Sequence, residues 1–362
     1  MKRLFKGIGI TMLVLGLIVI VYLAYVFLSY HRIEDHQILK VTGCDQNAAK
    51  TMAVGETYSI ISCNIGFGAY SDDYSFFMDG GKYSRAFSKE AVLNNTDGSI
   101  ELVKQYEPDF VLFQEVDTDS DRNYHVNQCE IITDAFPDMD YNYAVDYDSP
   151  YLFYPFLEPH GASKSGLATL AKFPMTSALR RSLPISTGLA KMVDLDRCYV
   201  ITRIPTENGR ELVLFHVHLS AYTDDIRIVQ NQIQMLAEDM EKEYRAGNYI
   251  VCGGDFNQDM LGNSPEIYGT GNLDMNWCNP FPAEYLPEGI SRATDALTEE
   301  ERAALPPSCR VADSPYVAGK SFVTMVDGFL VSDNVEVVSF NTIDNSFQYS
   351  DHNPVRMEFC LK

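Results

Sequence analysis

The sequence has little positive charge. It contains 28 lysine and arginine residues against 50 aspartate and glutamate residues, and its formal net charge is −22. A surface this acidic repels polyanions such as duplex DNA and attracts cations. The composition therefore argues against a tight, non-specific DNA-binding protein, although it is compatible with a nuclease whose cleft is filled by a cation.

Other common signatures are also missing. No Cys-x-x-Cys pair and no histidine-rich cluster occurs, so the usual spacing of a structural zinc site is absent. The sequence has no internal repeat and no low-complexity tract. Among the eight cysteines, Cys278 and Cys309 share one long segment, and a disulfide between them is an open alternative if the protein is exported.

Only one apolar run, residues 8–28, is long enough to cross a bilayer as a helix. Lys2, Arg3 and Lys6 precede it, and excess positive charge stays in the cytoplasm. We therefore expect a single-pass plasma-membrane protein with a cytoplasmic tail at 1–7, a signal anchor at 8–28 and an extracellular remainder. A cleaved signal peptide is the alternative, but the run is longer than a usual signal core and no Ala-x-Ala pattern follows it.

The rest of the chain is long enough for one large domain. Residues 29–55 are polar and predict a tether, and residues 56–362 predict the domain itself, with a Pro-, Gly- and Asn-rich insertion at about 258–320. Strand-like runs outnumber helical ones, and a helical apolar spacing extends between Asp225 and Arg245. This pattern predicts an α+β fold in which two sheets pack together with helices outside.

Polar residues follow several of the apolar runs directly. Asn64, Glu115 and Asp255 each stand at the end of such a run. Because buried strands end where the core ends, we expect these side chains to converge on one cleft. Mg2+ prefers oxygen ligands and is commonly held by one or two carboxylates. The pattern predicts a cation at Glu115, with Asn64 coordinating it or orienting a bound water.

Two pairs of residues predict proton transfer and phosphate binding. Asp255 and Asn257 are two positions apart on a strand-like run, so their side chains point to the same side. One could orient or deprotonate a water while the other contacts a phosphate oxygen. His352 precedes Asn353 and Pro354 on a turn and is a candidate proton acceptor, and Asp327 is its predicted partner because it interrupts an apolar strand.

His218 predicts a donor to the phosphate oxygens in the transition state. It ends a strand-like run in which His216 lies on the same face. A metal site that uses both histidines is therefore an alternative, although no third nitrogen or sulfur ligand has an obvious spacing.

These motifs resemble, in order, those of the endonuclease/exonuclease/phosphatase superfamily. The shared motifs are Asn64, Gln114-Glu115, His218-Leu219, Gly254-Asp255-Phe256-Asn257, Asp327 and Ser350-Asp351-His352-Asn353-Pro354-Val355. The resemblance extends from about residue 58 to residue 359. The superfamily includes pancreatic-type deoxyribonucleases, apurinic-site endonucleases, inositol polyphosphate 5-phosphatases and neutral sphingomyelinases.

The resemblance implies a four-layer α/β/β/α sandwich of two mainly antiparallel sheets and a hydrolase that depends on Mg2+, with Mn2+ as an alternative. It assigns the metal to Glu115, Asn64 and Asp351. It also implies that Asp255 positions the nucleophilic water, that Asn257 contacts the phosphate, that His352 paired with Asp327 acts as base or phosphate contact, and that His218 stabilises the transition state.

Two positions disfavour a DNA-repair enzyme. Gly66 stands where apurinic-site enzymes have an acidic residue, and His218 stands where they have tyrosine. The aromatic residues at 151–157, with Phe76 and Phe77, predict either a rim that contacts a lipid, a base or the membrane, or the cover of a small satellite core. We predict a monomeric, membrane-anchored phosphoesterase acting on a phosphodiester or phosphomonoester. A surface nuclease and a catalytically silent phosphate- or lipid-binding module are the alternatives.

Overall fold

A computed structural model describes residues 2–188, 191, 195–221, 226–271, 273 and 278–362. The helices are α1 (Lys2–Ser29), α2 (Lys89–Lys104), α3 (Gln128–Ala135), α4 (Ile226–Arg245), α5 (Ser264–Ile267) and α6 (Glu299–Ala304). The strands are β1 (Gln37–Ile38), β2 (Thr57–Asn64), β3 (Phe110–Asp117), β4 (Asp140–Asp148), β5 (Lys164–Ala171), β6 (Ser177–Ser182), β7 (Cys198–Pro205), β8 (Glu211–His218), β9 (Tyr249–Asp255), β10 (Ile290–Arg292), β11 (Cys309–Arg310), β12 (Val323–Thr324), β13 (Asp327–Ser332), β14 (Val335–Thr342) and β15 (Val355–Leu361).

The strands form two large sheets. The first has the order β1-β6-β7-β8-β9-β13-β10, the second has the order β14-β15-β2-β3-β5-β4, and β11 and β12 form a separate short pair. Each large sheet contains one parallel pair, β8 with β9 and β2 with β3, and its other neighbours are antiparallel. The predicted fold of two packed, mainly antiparallel sheets is therefore confirmed.

The core lies between the two sheets, and alternation along the strands shows how the layers are separated. Ile60 and Leu112 of the second sheet belong to the same buried cluster as Leu214 and Val251 of the first. The intervening residues of β2 and β3 face the other way and pack with residues of α2 and α3. Each strand of the second sheet thus contributes alternate side chains to two hydrophobic layers.

The outer face of the first sheet is covered by α4. Val229, Ile233, Leu236 and Met240 are all buried there, as their helical spacing predicts. The helix begins at Ile226 in the described part of the chain, and the predicted starting residue Asp225 lies outside it. The order of layers is helices, sheet, sheet, helix.

The N-terminal segment 29–55 is not a free spacer over its whole length. Strand β1 pairs with β6, and Met52 is fully buried with its N–H donating to the Pro205 carbonyl. The predicted tether is therefore attached to the domain at several places. The segment 258–320 is likewise integrated, since β10 extends the first sheet beside β13.

Helix α1 is the one helix among the described residues that is long and apolar enough to cross a membrane. Its candidate span, Arg3–Ser29, has 27 residues. A signal sequence meets the same criteria of length and composition.

Candidate active site

The two parallel strand pairs place the predicted residues at one edge of the sandwich. Parallel neighbours end at the same edge, and the register pairs Asn64 with Gln114 and His218 with Asp255. Strand β13 runs antiparallel to β9, so its first residue, Asp327, lies opposite Asp255. The topology therefore gathers side chains that are far apart in sequence.

Asp255 is the centre of this group. Its Oδ2 lies 3.1 Å from Asn64 Nδ2, 3.6 Å from His218 Nε2 and 3.8 Å from His352 Nε2. Its Oδ1 accepts a hydrogen bond of 2.9 Å from the backbone N–H of Asn257. A buried carboxylate needs such partners, because an isolated charge is costly to remove from water. Three nitrogens from three strands or turns thus surround one carboxylate oxygen.

His352 and Asp327 form the predicted pair. His352 Nδ1 lies 2.7 Å from Asp327 Oδ2, and both side chains are buried. Burial opposes the imidazolium, but the Asp327 carboxylate and Cys309 together offset this and raise the pKa of His352 well above its usual value. Asp327 is held in turn by Ser308, whose hydroxyl accepts a hydrogen bond of 3.1 Å from its backbone N–H. The contact fixes the ring with Nε2 towards Asp255.

A second His–Asp pair was not predicted from the sequence. His218 Nδ1 lies 3.2 Å from Oδ2 of Asp146, a buried residue of β4. Although burial opposes ionisation, the neighbouring His218, together with the charges of Arg197 and Arg180, lowers the pKa of Asp146 below its usual value. Asp255 therefore lies between two histidines that are each oriented by a carboxylate.

Asn64 joins Asp255 to Glu115. Its Nδ2 donates to Asp255 and lies 3.3 Å from Glu115 Oε1, while its Oδ1 accepts from the N–H of Gly66 at 3.0 Å. In this orientation the amide organises two carboxylates. The role of Asn64 as a direct oxygen ligand stays a prediction.

Glu115 and Asp351 supply the oxygen donors expected of a divalent-cation site. Both are partly exposed, and burial together with the negative charge of Glu115 raises the pKa of Asp351 to about 6. Burial raises the pKa of Tyr70 well above its usual value, and the negative charges of the same two carboxylates raise it further. Two neighbouring carboxylates suit a hard cation, which would neutralise their charge. The donor set fits Mg2+.

A tighter cluster also has the spacing of metal ligands. One ligand atom from each of Asp255, Asp327 and His352 lies within 4.8 Å of the others. His352 Nδ1 already contacts Asp327 at 2.7 Å, which is the geometry of a hydrogen-bonded pair. Two of the three residues in this cluster are therefore already paired with each other.

The backbone is strained where the site side chains leave their strands. Glu115 has φ 54° at the irregular register between Phe113 and Val116, and Asn257 has φ 50°. Such left-handed positions are uncommon for residues other than glycine and cluster at functional sites. The irregularity in β3 turns Glu115 towards Asn64.

Two glycines provide the close approach that the site requires. A Cβ on Gly254 would lie 2.0 Å from the Val217 carbonyl oxygen of the neighbouring strand, and φ there is 143°. A Cβ on Gly66 would lie 2.5 Å from the Tyr70 ring and 3.1 Å from Asp351 Oδ1. Neither position tolerates a side chain while its neighbours keep their places.

The remaining predicted residue, Asn257, lies beside Asp255. Its side-chain amide donates to the Leu219 carbonyl at 2.9 Å, which fixes the amide beside the end of β8. Its predicted contact with a phosphate oxygen is untested by the geometry.

The alternative metal site that uses two histidines is disfavoured. The ring nitrogens of His216 contact Gln114 at 2.6 Å and Thr169 at 2.9 Å. Burial and the proximity of His218 lower the pKa of His216 to about 3, so this ring is a neutral part of the core. All eight cysteines lie in the described residues and are free thiols, with Cys278 and Cys309 in one small buried cluster.

Arg310 supports the site from the segment 258–320 and was also not predicted. Its guanidinium is almost fully buried and donates to the carbonyls of Tyr70, Ser71 and Tyr74. Its backbone N–H donates to the Asp351 carbonyl at 3.0 Å. One residue thus ties the loop after β2 to the turn that carries Asp351 and His352.

Comparison with known proteins gives a match to the Endonuclease/Exonuclease/phosphatase family over residues 61–352. An endonuclease/exonuclease/phosphatase from Beutenbergia cavernae is similar over 84% of this chain and 72% of its own, with 15% identity and a TM-score of 0.57. One from Bacteroides vulgatus covers 85% of this chain and 100% of its own, with 15% identity and a TM-score of 0.54. TDP2 from D. rerio, crystallised with a single-strand DNA product, covers 84% and 99%, with 14% identity and a TM-score of 0.52.

At these identities the structural likeness establishes the fold alone. Curated protein sequences give no significant match. The family match spans every predicted site residue from Asn64 to His352.

Proposed function

The chain belongs to the endonuclease/exonuclease/phosphatase family, and on this premise we propose that it is a membrane-anchored, extracellular, Mg2+-dependent phosphoesterase. It hydrolyses a phosphodiester or phosphomonoester by metal-assisted attack of water. We also propose that the protein is a monomer and that α1 is its membrane anchor. The length and apolar character of α1 support the anchor, and the lysine and arginine residues before the apolar run support the orientation.

One observation carries the proposal. Asn64, His218 and His352 all direct a nitrogen at Asp255 Oδ2, and Asn64 links this group to Glu115. A solvated surface or a set of turn-capping residues would not bring two His–Asp pairs and a carboxylate pair to one edge. The arrangement matches what hydrolysis of a phosphate ester requires: oriented water, donors for developing charge and a cation site.

Glu115 and Asp351 would hold the cation, and Asn64 orients the Glu115 carboxylate beside it. When bound there, the cation would withdraw charge from the phosphoryl oxygens. Mn2+ also accepts carboxylate ligands, and we propose it as the substitute metal.

The chain's own residues divide the remaining chemistry. We assign to Asp255 the orientation of the attacking water and the acceptance of its proton, because this carboxylate lies next to the Nε2 atoms of both histidines. His352 and His218 donate through Nε2 to the phosphate oxygens, while Asp327 and Asp146 hold the two rings in place. Asn257 contacts the phosphate from the turn after β9.

A surface nuclease is the second candidate function. It is favoured by the likeness to TDP2 from D. rerio, which was crystallised with a single-strand DNA product. The formal net charge of −22 opposes the binding of a long polyanion. A silent module that binds a phosphate or a lipid headgroup is the third candidate.

The test uses the full chain in detergent micelles, assayed with bis-nitrophenyl phosphate, plasmid DNA, sphingomyelin and inositol phosphates, with and without Mg2+ or Mn2+. We expect turnover of at least one substrate that EDTA abolishes. Asp255→Asn and His352→Gln should each reduce the rate by about 100-fold or more. Asp134→Asn, an exposed aspartate on α3, is the matched control and should keep the wild-type rate.

Metal-independent turnover that survives Asp255→Asn would refute the proposed chemistry. Binding of a phospholipid or nucleotide without turnover of any substrate would favour the silent module instead.

A further inference from the structure

The end of α1 contacts one particular loop of the domain. The Tyr22 hydroxyl donates to the Tyr151 carbonyl at 3.2 Å, and the Tyr25 hydroxyl accepts from the Tyr151 N–H at 3.1 Å. The Tyr22 ring also meets the Phe153 ring edge to face, with centroids 5.0 Å apart. The loop 151–157 is thus fixed against the helix through backbone and ring contacts.

This loop exposes its large apolar side chains. Phe156 is 82% exposed and Leu157 is fully exposed, and Phe153 and Tyr154 are at least half exposed. No residue from 151 to 157 carries a charge. Isolated apolar residues on a surface need no explanation, but four within five positions form a patch that water solvates poorly.

The contact with α1 fixes the height of the loop relative to a bilayer. Tyr22 precedes the last residue of the apolar run, Leu28, by six positions, which is about 9 Å along a helix. In a bilayer whose hydrocarbon core is spanned by this run, Tyr22 therefore lies among the acyl chains, and Tyr25 lies closer to the headgroups. A loop held beside Tyr22 lies at the same level.

We propose that the loop 151–157 inserts its apolar side chains into the outer leaflet beside α1 and holds the domain against the membrane. This inference rests on the proposed anchor and adds a second, peripheral contact with the lipid. The occupant of the patch is lipid rather than another protein because the patch is continuous with the lipid-facing surface of the helix. Attraction to anionic headgroups does not contribute, since the chain is strongly acidic and the loop uncharged.

The insertion would also orient the active site. Ring contacts run from Tyr154 to Phe77 at 5.7 Å, from Phe77 to Phe76 at 4.9 Å and from Phe76 to Tyr70 at 5.4 Å. Tyr70 and Asp351 both lie against Gly66, since a Cβ there would be 2.5 Å from the Tyr70 ring and 3.1 Å from Asp351 Oδ1. A continuous aromatic layer therefore connects the inserted loop with the cation end of the site.

The test measures quenching of a single tryptophan by bromines on lipid acyl chains. The background is the full chain with its sole tryptophan replaced, Trp277→Phe, reconstituted in phosphatidylcholine vesicles. Three reporters are compared: Phe156→Trp in the loop, Leu17→Trp in α1, and Val338→Trp. Val338 is exposed on β14, which forms one edge of the second sheet. Strand β4, which precedes the loop, forms the other edge of that sheet.

We expect brominated lipid to reduce the emission of Phe156→Trp and Leu17→Trp by roughly twofold or more, and that of Val338→Trp hardly at all. Quenching of Phe156→Trp should not change with salt, because it depends on apolar burial rather than charge. If the background variant does not fold by circular dichroism, the same reporters are placed in the wild-type chain and the Trp277 signal is subtracted.

The two proposals fail in different ways. Quenching of Leu17→Trp without quenching of Phe156→Trp would overturn the loop insertion and leave the anchor intact. Absence of quenching at Leu17 would overturn both. Protection of Phe156→Trp from aqueous acrylamide without quenching by lipid would show that another copy or another protein covers the loop, and would also overturn the insertion.

Discussion

At the residue scale, Asp146 decides how His218 is oriented. The carboxylate lies 3.2 Å from His218 Nδ1, and this leaves Nε2 directed at Asp255. Without Asp146 the ring could rotate or change its protonated nitrogen. A residue that acts through His218 should affect the rate more than substrate binding, because the donor is needed most in the transition state.

We expect Asp146→Asn to lower kcat by about 100-fold with a small change in KM. His218→Gln should have a similar effect, and the double variant should be no worse than the poorer single variant, because both changes remove one coupled unit. Steady-state kinetics of the four proteins test this. Effects that multiply in the double variant would show that Asp146 acts independently of His218.

His160 gives a pH-dependent contribution to stability. Burial and the positive charge of Arg122 lower the pKa of His160 to about 3, and its Nδ1 contacts the Ser84 carbonyl at 2.7 Å. The unfolded chain has the ordinary histidine pKa of about 6.5. Between these two values the unfolded state binds a proton that the folded state does not, so folding becomes less favourable as the pH falls.

His160→Gln should destabilise the protein at pH 7.5, because the substitution removes the packing of the ring. This loss of stability relative to the wild type should shrink as the pH falls from about 6.5 towards 4, because only the wild-type protein is destabilised by protonation of His160 in the unfolded chain. Urea unfolding of both proteins across this range measures the difference. A penalty that stays constant or grows at acid pH would contradict a neutral His160 in the folded state.

Residues such as Asn64, Glu115 and Asp255 could be predicted because each follows a buried apolar run and so emerges where a strand ends. Asp146 could not, since β4 carries four acidic or amide residues in a half-buried alternating pattern and nothing distinguishes one of them. Arg310 gave no signal either. Its role depends on the loop carbonyls that it contacts, and their positions follow only from the folded chain.

At the element scale, the parallel pairs β2–β3 and β8–β9 are what place the site. Sequence alternation and turn signals predict the strands and the packing of two sheets, but not which strands are neighbours. Pairing partners depend on contacts between distant segments, such as Asp327 of β13 opposite Asp255 of β9. The place of β10 in the first sheet could not be predicted either, because this three-residue strand is too short for a periodic signal.

The pair β8–β9 should be sensitive to any side chain at Gly254. A Cβ there would lie 2.0 Å from the Val217 carbonyl oxygen, so the strands must separate or twist. We expect Gly254→Ala to reduce the free energy of unfolding by about 1–3 kcal/mol or more. It should also reduce activity, because Asp255 and His218 lie at the end of the same pair.

Gly328→Ala is the matched control on the adjacent strand β13. A Cβ there meets the Met260 side chain no closer than 3.3 Å, and a flexible methionine can move aside. Urea unfolding and phosphoesterase rates compare the two variants. Equal losses in both would mean that the close approach at Gly254 has no special role.

At the scale of the whole molecule, the protein combines an acidic composition with the proposed cation site. The formal net charge of −22 is spread over a chain whose proposed function uses a divalent cation beside a phosphate substrate. The long-range field therefore favours the cofactor and opposes a long polyanion, while a small or membrane-bound phosphate ester carries too little charge to be excluded. The proposed loop contact with the membrane would act at short range, where the field matters less.

The salt dependence of DNA binding distinguishes the membrane-anchored phosphoesterase from the surface nuclease. Charges on the protein and on DNA interact over a Debye length of roughly 30 Å at 0.01 M salt and only about 8 Å at 0.15 M. For a protein with a basic groove, affinity for DNA falls steeply as salt rises, because releasing counterions into a more concentrated salt solution gains less free energy. For this protein we expect the affinity for DNA to rise with salt or to stay unchanged.

The measurement is the anisotropy of a fluorescent duplex titrated with the Asp255→Asn protein at constant Mg2+, between these two salt concentrations. Binding should be weak throughout and weakest at low salt. Affinity that rises as salt is removed would reveal a local basic surface strong enough to override the net charge, and the surface nuclease would then become the leading function.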